Sequence, residues 1–267
     1  MTAAVFSFAA VALYLTAAVL QLLELRNQRE RILPMVVATA SIGLCFHALG
    51  LTDILTDDVG YNFGFFKISS LIFLLVTAAT LLSLARRPLQ NLLVILLPLA
   101  AVSVLISALA PTTRDSVAQL NGGMLLHIGL SVAAYAVLTI AALQALALAS
   151  LDSRLRHHNT IGIVKIFPPL QLMETILFEL IWLGVILLTA SIASGFVFLD
   201  DIFAQHLVHK TTLTVAAWVT YSVLLWGRHQ RGWRSKTAVW WTLGGFLVLM
   251  LGYFGSKFVL ELILAKI

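Results

Sequence analysis

Four histidines in a strongly apolar chain are the residues best suited to chemistry. His47 and His127 adjoin long apolar runs, while His206 and His209 precede or open another. Neutral imidazole is the commonest metal ligand in proteins, and an ionisable group in such surroundings is costly unless something uses it. The four residues are therefore candidate metal ligands. The alternative for each is an ordinary hydrogen-bonding residue at a helix end.

A zinc site is one interpretation of this set. His206 and His209 form an HxxH pair, one turn apart if the segment is helical. Zinc would require a third or fourth N, O or S ligand, for which His127, His47 or Asp201 is available. Asp201 is equally well interpreted as a loop charge. The sequence contains no HExxH motif, Ser/His/Asp arrangement, phosphate-binding loop or dinucleotide motif.

Helical spacing places polar or small neighbours near two of the histidines. Ser131 and Tyr135 follow His127 by one and two turns and form a narrow polar stripe. Small side chains such as Ala216 follow His209, and they allow close helix packing or leave room for a flat ligand.

The composition shows what kind of protein must position these residues. Of 267 residues, 60% are hydrophobic and 11% are charged. A soluble domain has about a quarter of its residues charged, so the chain is predicted to be an integral membrane protein. The formal charge of +5 comes from short clusters between apolar runs, which does not indicate nucleic-acid binding. Cys45 is the single cysteine and cannot form an intrachain disulfide.

The apolar runs predict an all-α, polytopic membrane helix bundle of about eight transmembrane helices. A spanning helix needs about 20 apolar residues. No soluble domain or internal repeat is evident, so residues 1–267 are interpreted as one membrane domain. The first run is interpreted as a retained helix rather than a signal peptide. The predicted spans are 2–24, 34–52, 65–85, 91–110, 124–150, 172–199, 209–227 and 237–263.

Charge predicts the orientation of the bundle. The loops after spans one, three, five and seven hold 12 of the 17 basic residues, so they are expected to face the cytoplasm. Both termini are then outside, and the four candidate histidines lie towards the outer face. Near the opposite boundary, Trp226, Trp233, Trp240 and Trp241 are predicted to form an aromatic belt. His157, His158 and His229 are interpreted as solvated loop residues or contacts of anionic lipid headgroups.

Several segments of the second half resemble a known family. They are "LLHIGLSVAAYAVLTIAALQALALA", "FPPLQLMETILFELIWLGVILLTASIASGFVF", "HKTTLTVAAWVTYSVLLWGRHQRGWR" and "GYFGSKFV". Together they resemble the cytochrome c assembly family of CcsA/CcmC-like haem-handling membrane proteins, and their order and spacing resemble its YpjD/HemX-like branch. The resemblance covers residues 122–260, and the first half matches in hydropathy only.

The resemblance implies haem binding near the outer face of a bacterial inner membrane, in the context of cytochrome c maturation. His127 matches the position of the family's external haem-ligand histidine. Two features depart from the family pattern. The tryptophan-rich motif expected between Val197 and Lys210 is absent from "VFLDDIFAQHLVHK", and no histidine follows the closing "YFG" segment.

The sequence therefore leads to a haem-site hypothesis. His127 is one axial ligand, His209 is the best candidate for the other, and His47 and His206 are reserves. Lys210 is a candidate partner for a haem propionate. Aromatic residues at the mouth of span three are candidates to pack on the porphyrin, or alternatively form part of an aromatic belt. They are Tyr61, Phe63, Phe65 and Phe66. Two histidines on iron leave no open position, so haem binding or presentation is expected rather than catalysis.

Two other functions remain open. A transporter or channel subunit without haem is disfavoured because no Asp, Glu, Lys or Arg lies near the centre of a predicted span. A scaffold for a partner membrane protein fits the small-residue helix faces, although any packed bundle has such faces. The expected partners are haem, the lipid bilayer and either cytochrome c maturation proteins or another membrane protein.

Overall fold

The structure is a computed structural model that describes residues 2–27, 32–57, 60–62, 64–110, 116–117, 121–156, 167–198 and 205–255. The helices are α1 (Thr2–Asn27), α2 (Leu33–Leu55), α3 (Phe65–Ser83), α4 (Leu93–Leu109), α5 (Gly122–Arg156), α6 (Leu170–Phe198), α7 (Gln205–Arg231) and α8 (Lys236–Met250). A 3₁₀ turn, Gln90–Leu92, precedes α4, and a π-helical turn, Leu251–Gly255, continues α8. The predicted helical membrane fold is confirmed.

Seven of the helices in the described ranges are long and apolar enough to cross a membrane. The exception is α7, which forms where a span over 209–227 was predicted. Threonines, Trp218 and Tyr221 make this helix less apolar than the others. The sequence thus predicted α7 correctly as a helix, while its lower hydropathy sets it apart from the other seven described helices. The predicted span 237–263 extends past Gly255, beyond the described residues.

The chain divides into two compact units, residues 1–119 and 120–267. In the first unit, α1 packs against α2 and α4, and α3 packs against α2 and α4. Small residues bring α1 and α2 together, since a Cβ at Gly43 would lie 3.1 Å from the Tyr14 ring. Between α2 and α3 are the short strands β1 (Thr56–Asp57) and β2 (Gly60–Asn62), and β3 (Ser116–Val117) pairs antiparallel with β2.

The second unit is built around α5, whose central residues are buried against α6 and α8. Gly184 of α6 allows a close approach to α5, because a Cβ there would collide with Leu138. At about 1.5 Å per residue, the 35 residues of α5 are about 52 Å long, well beyond the roughly 30 Å of a hydrocarbon core. The last turn carries an exposed Arg156–Asp152 ion pair of 3.1 Å. A single membrane domain and outward-facing termini stay predictions.

Candidate functional site

His127 lies on the first turns of α5 and is hydrogen-bonded to α6. Its Nδ1 is 2.9 Å from the backbone oxygen of Ser191 and 3.2 Å from Ser194 Oγ. A carbonyl oxygen can only accept a hydrogen bond, so Nδ1 must carry the proton. In the neutral ring the lone pair is then on Nε2. The local arrangement therefore fixes the tautomer of His127.

Serine hydroxyls extend this contact into a network. Ser131 Oγ donates to the backbone oxygen of His127 at 2.7 Å, which uses the one hydroxyl proton of Ser131. Its 2.7 Å contact with Ser191 Oγ is therefore a bond that Ser131 accepts. Ser194 Oγ donates to the Ser191 oxygen at 2.8 Å. The ring of His127 is thus held by two polar groups, the Ser191 oxygen and Ser194 Oγ, which are themselves hydrogen-bonded to each other.

The other ring nitrogen of His127 has different surroundings. The side chain is partly buried, and within the described ranges Nε2 has no hydrogen-bond partner. Metal-ligating histidines almost always donate their second N–H to a carbonyl, a carboxylate or water. His127 has this arrangement, with an unprotonated nitrogen available to a metal.

An aromatic group lies on α5, α8 and its π-helical extension. Tyr135, two turns after His127, donates to the backbone oxygen of Leu249 at 2.9 Å. Its ring centroid is 6.0 Å from that of Tyr253 and 6.5 Å from that of Phe254. Lys210 Nζ lies 5.8 Å from the centroid of the Tyr253 ring. The predicted polar stripe of α5 thus leads to a cationic and aromatic cluster.

His209 and His206 begin α7. The side chain of His209 is exposed, and no hydrogen bond joins it to His127 in the part of the chain that the structure describes. Its backbone oxygen accepts a bond from Thr212 Oγ1 at 3.2 Å. The side chain of His206, like the whole of Asp200 and Asp201, lies outside the described residues.

His47 belongs to a separate network in the first unit. The side chain is 1% exposed, its Nδ1 lies 3.2 Å from Tyr14 Oη, and its Nε2 lies 2.9 Å from Ser70 Oγ. Both ring nitrogens therefore have partners, and one bond must break before His47 can bind a metal. The hydrogen bonds join α1, α2 and α3, which gives His47 a role in helix packing.

The aromatic residues predicted at the mouth of span three are described in part. Phe65 and Phe66 open α3 with ring centroids 5.0 Å apart, in an edge-to-face arrangement. The side chains of Tyr61 and Phe63 lie outside the described residues. Phe65 and Phe66 are in the first unit and His127 is in the second.

The structure adds residues that the sequence interpretation missed. Ser191 and Ser194 were not among the candidate site residues, and they lie on α6, which runs unbroken to Phe198. Their spacing of three residues on an apolar helix was the available signal. Among the described residues, no three His, Cys, Asp or Glu side chains come together as metal ligands.

The chain is similar to known proteins over most of its length. A family model described as "Cytochrome C assembly protein" matches residues 35–264. The chain belongs to this family. The match includes most of the first unit, where the sequence showed a resemblance in hydropathy only, and it confirms the predicted family.

Relatives of this chain are named as membrane proteins. The chain is 35% identical to "Inner membrane protein YpjD" of Escherichia coli K12 over 231 residues, which are 86% of this chain and 88% of the relative. The same values hold for the protein of that name from Escherichia coli O157:H7. An uncharacterized 28.8 kDa protein of Azospirillum brasilense is 32% identical over 52% of each chain. No solved structure matches significantly. The chain is an inner-membrane protein.

Proposed function

We propose that this protein binds haem through His127 near the outer face of the membrane and handles haem for cytochrome c assembly. The observation that carries the proposal is the bond from His127 Nδ1 to the Ser191 carbonyl oxygen, which leaves Nε2 to bind iron. Membership of the cytochrome c assembly family supports the haem-related role.

The surrounding residues fit a haem group. Haem would supply an iron atom whose axial positions accept imidazole nitrogen, together with two anionic propionates. Lys210 is the cation next to the aromatic cluster of Tyr135, Tyr253 and Phe254, and it is the proposed partner of a propionate. Aromatic rings provide apolar area for a porphyrin face without a large loss of conformational freedom.

The second ligand is proposed to be His209, which is exposed one residue before Lys210. His47 is a weaker candidate because both of its ring nitrogens already have partners. Two histidine ligands fill the axial positions of iron, so the protein would carry or present haem rather than activate oxygen.

The test is an absorption spectrum of protein purified from haem-replete cells. We expect a Soret band for the wild type and its loss in His127→Ala. His229→Ala is the control, since His229 is an exposed histidine in the last turn of α7. A wild type without a Soret band, or a band unchanged in His127→Ala, would overturn the proposal. Ion flux without a chromophore would favour the transporter, and stoichiometric copurification of a partner without a chromophore would favour the scaffold.

A further inference from the structure

The connection between α7 and α8 is a tightly fixed turn. We call residues 228–236 the basic turn. Gly232 has φ +64° and Ser235 has φ +46°, a conformation that L side chains rarely adopt. The backbone N–H of Trp233 donates to the Gly227 oxygen at 3.2 Å, and a Cβ at Gly227 would collide with the Trp233 indole. The turn therefore holds its side chains in defined positions.

One cation of the basic turn is neutralised inside the protein. Arg228 Nη1 donates to Glu174 Oε1 at 2.6 Å and to the Trp233 backbone oxygen at 3.2 Å. Its guanidinium also lies 4.6 Å from the centroid of the Phe178 ring. Arg228 thus contacts Glu174, the Trp233 backbone and the Phe178 ring, and it anchors the turn to α6.

The remaining cations of the basic turn point outwards. Arg231 and Lys236 are exposed, and Arg234 is 64% exposed with its Nε 3.7 Å from Glu174 Oε1. Glu174 is the one carboxylate that the described structure pairs with the turn, and the short bond to Arg228 already uses its charge. Three positive charges on a rigid segment are therefore left to attract an anion.

Two exposed tryptophans indicate how deep the basic turn lies relative to the bilayer. Trp226 is 52% exposed and Trp240 is 74% exposed, on the helices that flank the turn. Arg231 stacks on Trp226, with 5.2 Å between the guanidinium carbon and the ring centroid. Exposed tryptophan is typical of the headgroup level of a bilayer and is unfavourable against bulk water. The two tryptophans therefore favour a position of these charges at the depth of lipid phosphates.

We propose that the basic turn is a binding site for the phosphate group of an anionic phospholipid, with Arg231, Arg234 and Lys236 as its contacts. Clusters of basic residues next to a membrane-spanning helix bind anionic headgroups, and each cation contributes a roughly fivefold gain in affinity. The site uses none of the residues of the proposed haem site, so either proposal can fail without the other.

The test measures anionic lipid binding to the full-length protein. Purified protein in a zwitterionic detergent receives phosphatidylglycerol, phosphatidylcholine or inorganic phosphate, and both the Tm and the lipid retained in native mass spectrometry are recorded. The site variant is Arg231→Gln/Arg234→Gln/Lys236→Gln. The control variant, Arg86→Gln/Arg87→Gln/Arg154→Gln, removes the same charge from three other exposed arginines.

We expect phosphatidylglycerol to raise the Tm of the wild type and the control, and to bind the site variant on the order of a hundredfold more weakly. The proposal would be overturned if phosphatidylcholine or inorganic phosphate raised the Tm as much as phosphatidylglycerol does. It would also be overturned if the control variant lost as much affinity for phosphatidylglycerol as the site variant. If the site variant does not fold, Arg231→Gln/Lys236→Gln replaces it, since neither residue pairs with Glu174 in the described structure. Retention of wild-type affinity by this variant would also overturn it.

Discussion

The Ser191 carbonyl oxygen lies 2.9 Å from His127 Nδ1, across the interface of α6 and α5. The acceptor is a backbone atom, so no substitution at Ser191 removes it. The orientation of the histidine ring is consequently a property of the way the two helices pack. Gly123 and Gly184 both mark their close approach, since a Cβ at either would collide with a side chain of the other helix.

The serines around His127 are predicted to tune its affinity for haem. Ser191→Ala/Ser194→Ala removes the hydroxyls that hold Ser131 and the His127 ring, while the carbonyl remains. Losing such supporting partners weakens metal binding about 10- to 100-fold, and we expect the lower end because the carbonyl stays. The measurement is the rate of haem transfer to excess apomyoglobin, which should rise because haem is held more weakly. Thr175→Ala, an exposed threonine on the same helix, should leave this rate unchanged. An unaltered rate in the double variant would contradict the prediction.

The close approach at Gly184 is predicted to be essential for stability. Gly184→Val should destabilise the second unit by about 1–3 kcal/mol, because the new side chain overlaps Leu138. Thermal unfolding in detergent measures the effect. Leu138→Ala in the same protein should recover part of the loss by making room. Gly129→Val is the matched control, since a Cβ there meets nothing within 4 Å. Equal effects of the two glycine substitutions would show that the contact is unimportant.

His47 is predicted to stabilise the fold without binding haem. His47→Ala removes the ring partner of Ser70 Oγ and one of the partners of Tyr14 Oη, which also bonds to Thr77. A buried polar group left without a partner costs about 1–3 kcal/mol. We expect a lower Tm and a Soret band of normal intensity per folded protein. Cys45→Ala, at an exposed position of the same helix, should change neither. Loss of the Soret band in folded His47→Ala would assign His47 to the haem site instead.

The ion pair between Arg228 and Glu174 is predicted to fix the basic turn. Glu174→Gln removes the charge that holds Arg228, a charged hydrogen bond worth about 1.5–3 kcal/mol when well buried. Arg228 is 28% exposed, so solvent screening should bring the loss in the free energy of unfolding towards the lower end of this range. Arg228→Met should cost a similar amount. A double-mutant cycle measures the coupling, and strictly additive losses would show that the two side chains act independently.

Hydropathy predicted the helices well because every backbone polar group in a bilayer must be paired within its own segment. Boundaries were less accurate where another interaction continues a helix. The prediction ended span five at residue 150, whereas α5 continues to Arg156, where the Asp152–Arg156 pair supports the last turn. The small antiparallel sheet pairs Tyr61 with Val117, residues far apart in sequence, so no local pattern indicates it.

The candidate site was predictable to the extent that it lies along one helix. His127, Ser131 and Tyr135 follow from helical spacing. Ser191, Ser194 and the Tyr253 ring come from other helices, and tertiary packing decides which atoms they present. The orientation of His47 could not be inferred either, since Tyr14 and Ser70 belong to its two neighbouring helices.

The fixed tautomer of His127 has a chemical consequence. With Nδ1–H held by a carbonyl, Nε2 is the one ring nitrogen that carries a lone pair, and it is the atom proposed to bind iron. A metal ion can therefore bind this ring at one atom only. Binding through Nδ1 would require the bond to the α6 backbone to break, so the packing of two helices decides which edge of the imidazole is reactive.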